Sequence, residues 1–98
     1  MPMLEYSVGQ AFTSTGVSAW YDAYTARAHT FVFESNAAST GAFQMQTRLK
    51  NGTNTAVLSS GNITASSVMT YTFVGPYYQT RVRMKTITGT VTARWFGI

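Results

Sequence analysis

Residues 68–85 run Val68-Met69-Thr70-Tyr71-Thr72-Phe73-Val74-Gly75-Pro76-Tyr77-Tyr78-Gln79-Thr80-Arg81-Val82-Arg83-Met84-Lys85. Side chains alternate with a period of two on both sides of the Gly75-Pro76 break. Before it, Met69, Tyr71 and Phe73 fall on one side. After it, Tyr78, Thr80, Val82 and Met84 oppose Gln79, Arg81, Arg83 and Lys85. A period of two marks a strand with one covered face, because successive side chains of a strand point to opposite sides. Proline cannot donate to a ladder, so Gly75-Pro76 ends the first strand and the second begins beyond it.

The same pattern extends outward along the chain. In the segment 27–34, Ala28, Thr30 and Val32 face one way and His29, Phe31 and Phe33 the other. Phe43, Met45, Thr47 and Leu49 oppose Gln44, Gln46, Arg48 and Lys50. Further strands are expected over 4–12, 17–21, 55–58 and at Val91, Ala93 and Trp95. Asn51-Gly52 is expected to turn a hairpin, since both residues tolerate positive φ, and Thr88-Gly89 is expected to make a second tight reversal. Thr13-Ser14-Thr15-Gly16, residues 22–25, 35–41 and Ser59-Ser60-Gly61-Asn62 are expected as turns and loops. Apolar residues never recur at three-four spacing, so no helix is expected. The expectation is an all-β fold, an antiparallel β-sandwich of jelly-roll or immunoglobulin-like type with seven to eight short strands.

The chain has 98 residues, enough for one domain, taken as 1–98. A domain of this size buries only roughly 60–65% of its unfolded surface, so the core is thin. Pro2 disfavours an interior strand position, and residues 1–4 are read as an N-terminal arm. There is no cysteine, hence no disulfide framework. No signal peptide or membrane helix is expected. The sequons Asn51-Gly52-Thr53 and Asn62-Ile63-Thr64 are read as turn chemistry. Charged residues make up 10% and aromatics 14%. That balance fits either a surface covered by neighbours or a neutral hydroxyl-rich one.

The charges are unevenly placed. Glu5, Asp22 and Glu34 lie in the first third with only Arg27 against them, giving −2. From Asn36 onward there are six bases and no acid, giving +6 and the net +4.

Catalysis needs proton-moving or nucleophilic groups held close together. Here there is one histidine, no cysteine and three acids scattered along the chain. Asp22, His29 and a serine could be written down as a triad, but no serine sits in a Gly-x-Ser-x-Gly elbow. His29 is read instead as a strand residue at a partly covered surface. No metal-ligand or phosphate-loop spacing occurs. No enzyme activity, cofactor or metal is expected.

Arg81, Arg83 and Lys85 project from one strand face, and Arg48 and Lys50 from another. If the strands are neighbours, these five form a basic stripe able to bind a partner. With Tyr77, Tyr78 or Phe96 as stacking platforms, such a stripe could bind nucleic acid. The plainer reading is a solvated face whose cations discourage edge pairing, and nucleic acid is not favoured. Trp20, Tyr21 and Tyr24, with Asp22, form an aromatic contact cluster of the kind that holds sugars. Core or loop packing is the plainer reading there too.

The run 68–83, with Gly75-Pro76, an aromatic and Arg81-Val82-Arg83, is followed by Thr88-Gly89-Thr90-Val91-Thr92. It resembles the C-terminal half of small β-sandwich virion structural proteins of tailed bacteriophages. Thr47-Arg48-Leu49-Lys50-Asn51-Gly52-Thr53 is similar to their hairpin. Residues 16–24 and Arg27-Ala28-His29-Thr30-Phe31 are similar to their opening segment. The chain departs from that pattern after Asn51-Gly52, where no tryptophan follows. The resemblance implies a virion component assembled in the host cytoplasm. The expected form is a head-decoration (cement) protein on the coat shell, or else a tail or adaptor subunit. The implied partners are the major capsid protein, other virion subunits and copies of itself, as a homo-oligomer with a trimer favoured. No membrane partner is implied. The basic stripe is expected to dock on an acidic neighbour, either the capsid or the acidic first third of another copy.

Overall fold

A computed structural model describes Leu4 and residues 6–23, 26–49, 51–75 and 77–98. Among these residues there is no helix, and nine strands follow one another: β1 (Tyr6–Phe12), β2 (Gly16–Val17), β3 (Tyr21–Asp22), β4 (Ala28–Ser35), β5 (Thr40–Arg48), β6 (Ala56–Ile63), β7 (Val68–Val74), β8 (Gln79–Thr88) and β9 (Val91–Gly97). One sheet has the order β1-β9-β4-β7. The other has β2-β8-β5-β6, with β3 also paired to β8. Pairing is antiparallel throughout.

The pairs are nested in sequence: β5 with β6, β4 with β7, β2 and β3 with β8, and β1 with β9. The chain is therefore one long double-stranded ribbon folded back at the β5–β6 connection and wrapped into two sheets. With β2 and β3 taken as one interrupted strand, this is the eight-stranded jelly roll. It selects between the two sandwich types that the alternation allowed.

The alternating residues fill the space between the sheets. Phe31, Phe33, Val91, Ala93 and Trp95 face inward from one sheet, and Phe43, Met45, Val82 and Met84 from the other, all buried. Across the gap Phe33 stacks on Phe43 with ring centroids 4.0 Å apart. Tyr71 meets both rings edge-on, at 6.3 and 5.4 Å.

Several expected turns and strands differ. Ser59-Ser60-Gly61-Asn62 lies inside β6, paired with β5 from Ala42 to Met45. Its small residues let core rings come up to the sheet edge: a side chain at Gly61 would meet Phe43 Cζ at 3.1 Å and the Tyr71 hydroxyl at 3.3 Å. The second sequon asparagine, Asn62, is accordingly a strand residue. The strand expected over 17–21 is split into β2 and β3. Thr88-Gly89 does not close a hairpin, because β8 and β9 belong to different sheets. The bend crosses the sandwich instead. Gly89 takes φ 78° against Ser39, whose hydroxyl accepts from Thr90 N at 3.0 Å and donates to Asn36 Oδ1 at 2.7 Å.

At the β5–β6 end the turn is Leu49–Gly52, closed by Gly52 N to Leu49 O at 2.8 Å. Asn51 has the positive φ there (56°) and Gly52 does not. Leu49, expected to face inward, lies beyond β5 and is 68% exposed. Of the expected arm over 1–4, residues 1–3 lie outside the described residues; Leu4 is exposed ahead of β1.

Two glycines on the β1–β9 ladder separate packing from propensity. A side chain at Gly97 would collide with the Tyr6 ring and Ala26, whereas one at Gly9 would only touch Arg94 Cγ at 3.7 Å. Gly97→Ala is expected to lower unfolding free energy by about 1–3 kcal/mol through overpacking. Gly9→Ala should hold or raise it by about 0.5 kcal/mol, as glycine is costly within a strand. Urea unfolding of both variants checks this, and equal effects would contradict it.

Candidate functional site: the basic face of β5 and β8

β5 and β8 are neighbours, with Gln44 opposite Arg83, Gln46 opposite Arg81 and Arg48 opposite Gln79. Because Phe43, Met45, Val82 and Met84 must turn into the core, these polar residues all turn outward. The condition for a stripe is thus met for Arg48, Arg81 and Arg83. Lys85 follows on the same strand and is exposed, next to the register shift of β5 between Ala42 and Phe43. Lys50 lies outside the described residues.

Trp20 reaches this face from the link between β2 and β3. That link is tied to β8 on both sides. Ser18 N donates to Val82 O at 2.9 Å, Val82 N donates to Ser18 Oγ at 3.1 Å, and Ala23 N donates to Tyr78 O at 2.7 Å. The Trp20 ring carries two guanidiniums, with Arg81 Cζ 4.3 Å and Arg48 Cζ 4.5 Å from its centroid. At these distances the ring quadrupole attracts both cations.

Glutamines hold the arginines from behind. Arg81 Nε donates to Gln46 Oε1 at 2.6 Å, and Gln46 Nε2 donates on to Gln44 Oε1 at 3.1 Å. Arg48 Nε donates to Gln79 Oε1 at 2.8 Å, and its Nη1 to the Gly52 carbonyl at 3.2 Å. Gln79 Nε2 donates to Asp22 Oδ1 at 2.7 Å. Gln46 and Gln79 are only 5% and 6% exposed although they face outward, so the guanidiniums and Trp20 form a lid over them. The hydrogen-bond acceptors of both arginines are neutral. Burial, and next the charges of Arg48 and Arg83, pull the Arg81 pKa below the ordinary arginine value. The face therefore concentrates positive charge.

Beside Arg48 opens a groove of about 290 Å³, walled by Leu49, Ala56, Tyr77 and Tyr78 among others. Leu49 and Tyr78 are 68% and 46% exposed. Neither the groove nor the bracing glutamines were drawn from the sequence. The only signal was glutamine at 44, 46 and 79, in step with the arginines.

Trp20 and Tyr21 of the expected aromatic cluster turn to different neighbours. Trp20 lies over the arginines, whereas the Tyr21 ring turns edge-on to Trp95 at 5.9 Å. Tyr24 lies outside the described residues. Phe96 is on the other sheet, opposite Ser7 and Thr30, and shares no face with the basic residues. Tyr77 packs on His29 at 5.2 Å. Among the described residues the two acids of the first third, Asp22 and Glu34, do not come together either. Asp22 is tied to Gln79 beside the arginines, and Glu34 sits at the end of β4 on the opposite sheet. Among the described residues no three of His, Asp and Glu come together.

His29 is fully buried, not at a partly covered surface as expected. Its Nε2 lies 3.0 Å from the Gly75 carbonyl, which can only accept, so Nε2 carries the proton. Nδ1 then accepts from the Tyr6 hydroxyl at 2.9 Å. Neither nitrogen is paired with Asp22 or a serine.

No protein-family model matches the chain, and no curated protein sequence matches it. Its jelly-roll fold is shared with the crystal structure of SPBc2 prophage-derived protein YomS, at a TM-score of 0.62. Identity there is 14%, over 99% of this chain and 98% of that one. A chain from the disulfide-linked pili of Bacillus endospore appendages aligns more loosely, with a TM-score of 0.46 and 9% identity over 95% and 86%. At such identities the likeness is one of fold.

Two predictions follow from these contacts. Burial lowers the His29 pKa below 6.5, against a smaller opposing effect of the Gly75 and Ala26 carbonyls. The unfolded chain therefore takes up a proton more readily. Stability is complete above about pH 6.5 and is lost as pH falls below it. The urea midpoint should be lower at about pH 5.5 than at about pH 7.5, and His29→Gln, which cannot titrate, should flatten that difference. A slope unchanged in the variant would contradict the assignment. Separately, Gln79→Ala strips acceptors from Arg48 Nε and Asn51 N. It should cost about 1–3 kcal/mol in the same measurement.

Proposed function

We propose that this protein is a bacteriophage structural protein, specifically a homo-oligomeric head-decoration (cement) subunit that binds the coat-protein shell. The observation that carries the reading is the end-to-end likeness of its fold to a prophage-derived protein. The resemblance of residues 68–92 to small virion β-sandwich proteins supports the same class.

The two outer faces of the sandwich support an assembling role. On the β1-β9-β4-β7 sheet, edge strand β7 exposes Val68, Thr70, Thr72 and Val74, and β4 adds half-buried Thr30 and Val32. Val68 and Val74 are 65% and 80% exposed. Edge strand β7 thus carries neither charge nor proline, the usual devices against pairing. The opposite sheet carries Arg48, Arg81, Arg83 and Lys85. A two-fold contact sets the same patch of each copy against itself. The basic face would repel its own copy, whereas the other, net-neutral face, where Arg94 and Glu34 carry one charge of each sign, would not. The neutral face therefore serves self-association, and the basic face is left for the shell. A subunit that binds only assembled coat stabilises the shell by mass action.

The test is addition of purified protein to particles of the encoding phage, followed by density-gradient banding. The protein should band with the particles and run as an oligomer alone. Thr72→Lys with Val74→Lys should shift it toward monomer, and Arg81→Glu with Arg83→Glu should reduce particle occupancy, more so at low salt. Protein that stays at the top of the gradient, at any salt, would overturn the reading.

A further inference from the structure

Arg81 spends Nε on Gln46, and Arg48 spends Nε and Nη1 on Gln79 and Gly52. The hydrogen bonds among the described residues thus leave both Nη atoms of Arg81 and Nη2 of Arg48 for a ligand. Each guanidinium is already held by a nearly buried glutamine and by the Trp20 ring. Side chains ordered in advance lose less entropy when they bind. Arg48, Arg81 and Arg83 also crowd positive charge, which an incoming anion relieves. A carboxylate matches the forked donor geometry of arginine. Next to Arg48 lies the groove of about 290 Å³ with exposed Leu49 and Tyr78 on its walls. Anionic and apolar recognition therefore adjoin.

We propose that the Arg48–Arg81 pair and the groove beside it form a docking site for an acidic segment of another protein. A carboxylate of that segment engages the guanidiniums, and a neighbouring apolar side chain enters the groove. The charges favour protein over nucleic acid as occupant. They form one cluster rather than a track of regularly spaced cations. The Trp20 ring, the natural stacking platform, carries arginines, and Phe96 lies on the other sheet. The inference gives the basic face of the proposed function its partner chemistry. Its test needs only purified protein, so it fails separately from particle binding.

Trp20 reports on the site directly, because the other tryptophan, Trp95, is fully buried. The probe is a short synthetic peptide of glutamates around one leucine, titrated against tryptophan emission at low salt. Controls are an all-glutamate peptide, a lysine–leucine peptide and an oligothymidylate. The glutamate–leucine peptide should saturate the signal. Arg48→Gln and Arg81→Gln should each weaken it about tenfold, as loss of a charge-assisted pair does, with circular dichroism unchanged. The all-glutamate peptide should bind more weakly, and Tyr78→Ala should abolish that difference. Three results would each overturn the proposal: no saturable signal with the peptide, equal binding by the arginine variants, or tighter binding of the oligothymidylate.

Discussion

The antiparallel register of β8 on β5, with Gln46 opposite Arg81, determines most of what is distinctive about this molecule. It sends Phe43, Met45, Val82 and Met84 into the core and, by the same pleat, Arg48, Arg81 and Arg83 to the opposite side. A slip of one residue would exchange the two sets, placing cations in the core and aromatics in water. Burial of the apolar set is worth roughly 25 cal/mol per Å² of apolar surface, and burying an unpaired charge costs far more. The position of the basic face is therefore a consequence of core formation. No separate interaction is needed to collect the arginines.

Crowding those cations has a cost, and the surrounding residues offset it. Trp20 shares its ring between Arg48 and Arg81, and Gln46 and Gln79 accept from their Nε atoms. Both glutamines are themselves nearly buried, and Asp22 completes the chain of contacts through Gln79. Like charges held this way are ordered, and among the described residues no acid pairs with them. Exposed charges add little to the stability of an isolated domain.

The outer face of the other sheet is the counterpart. Its β7 edge is threonine and valine, with Thr30 and Thr72 hydroxyls 3.2 Å apart across the ladder. With Arg94 and Glu34 this face carries one charge of each sign, whereas the other is basic, so the sandwich has two distinct surfaces. The sandwich that presents them has the fold of a prophage-derived protein.

Alternation alone was enough to establish the β-sandwich, the facing side-chain sets on β4, β5, β7, β8 and β9, and the side of β8 that carries Arg81 and Arg83. These are local properties of a period-two pattern, so they can be read from consecutive residues. Local reading misplaced Ser59–Asn62, where pairing with β5 outweighs the turn preference of small residues, and Thr88-Gly89, where the bend crosses between sheets. It could not reveal the jelly-roll order, because nested pairing joins strands far apart in sequence. The meeting of Trp20 with Arg48 and Arg81, the burial of His29 between Tyr6 and Gly75, and the separation of Asp22 from Glu34 arise for the same reason. Each depends on which distant strands become neighbours, and that is decided by closing two sheets over one core.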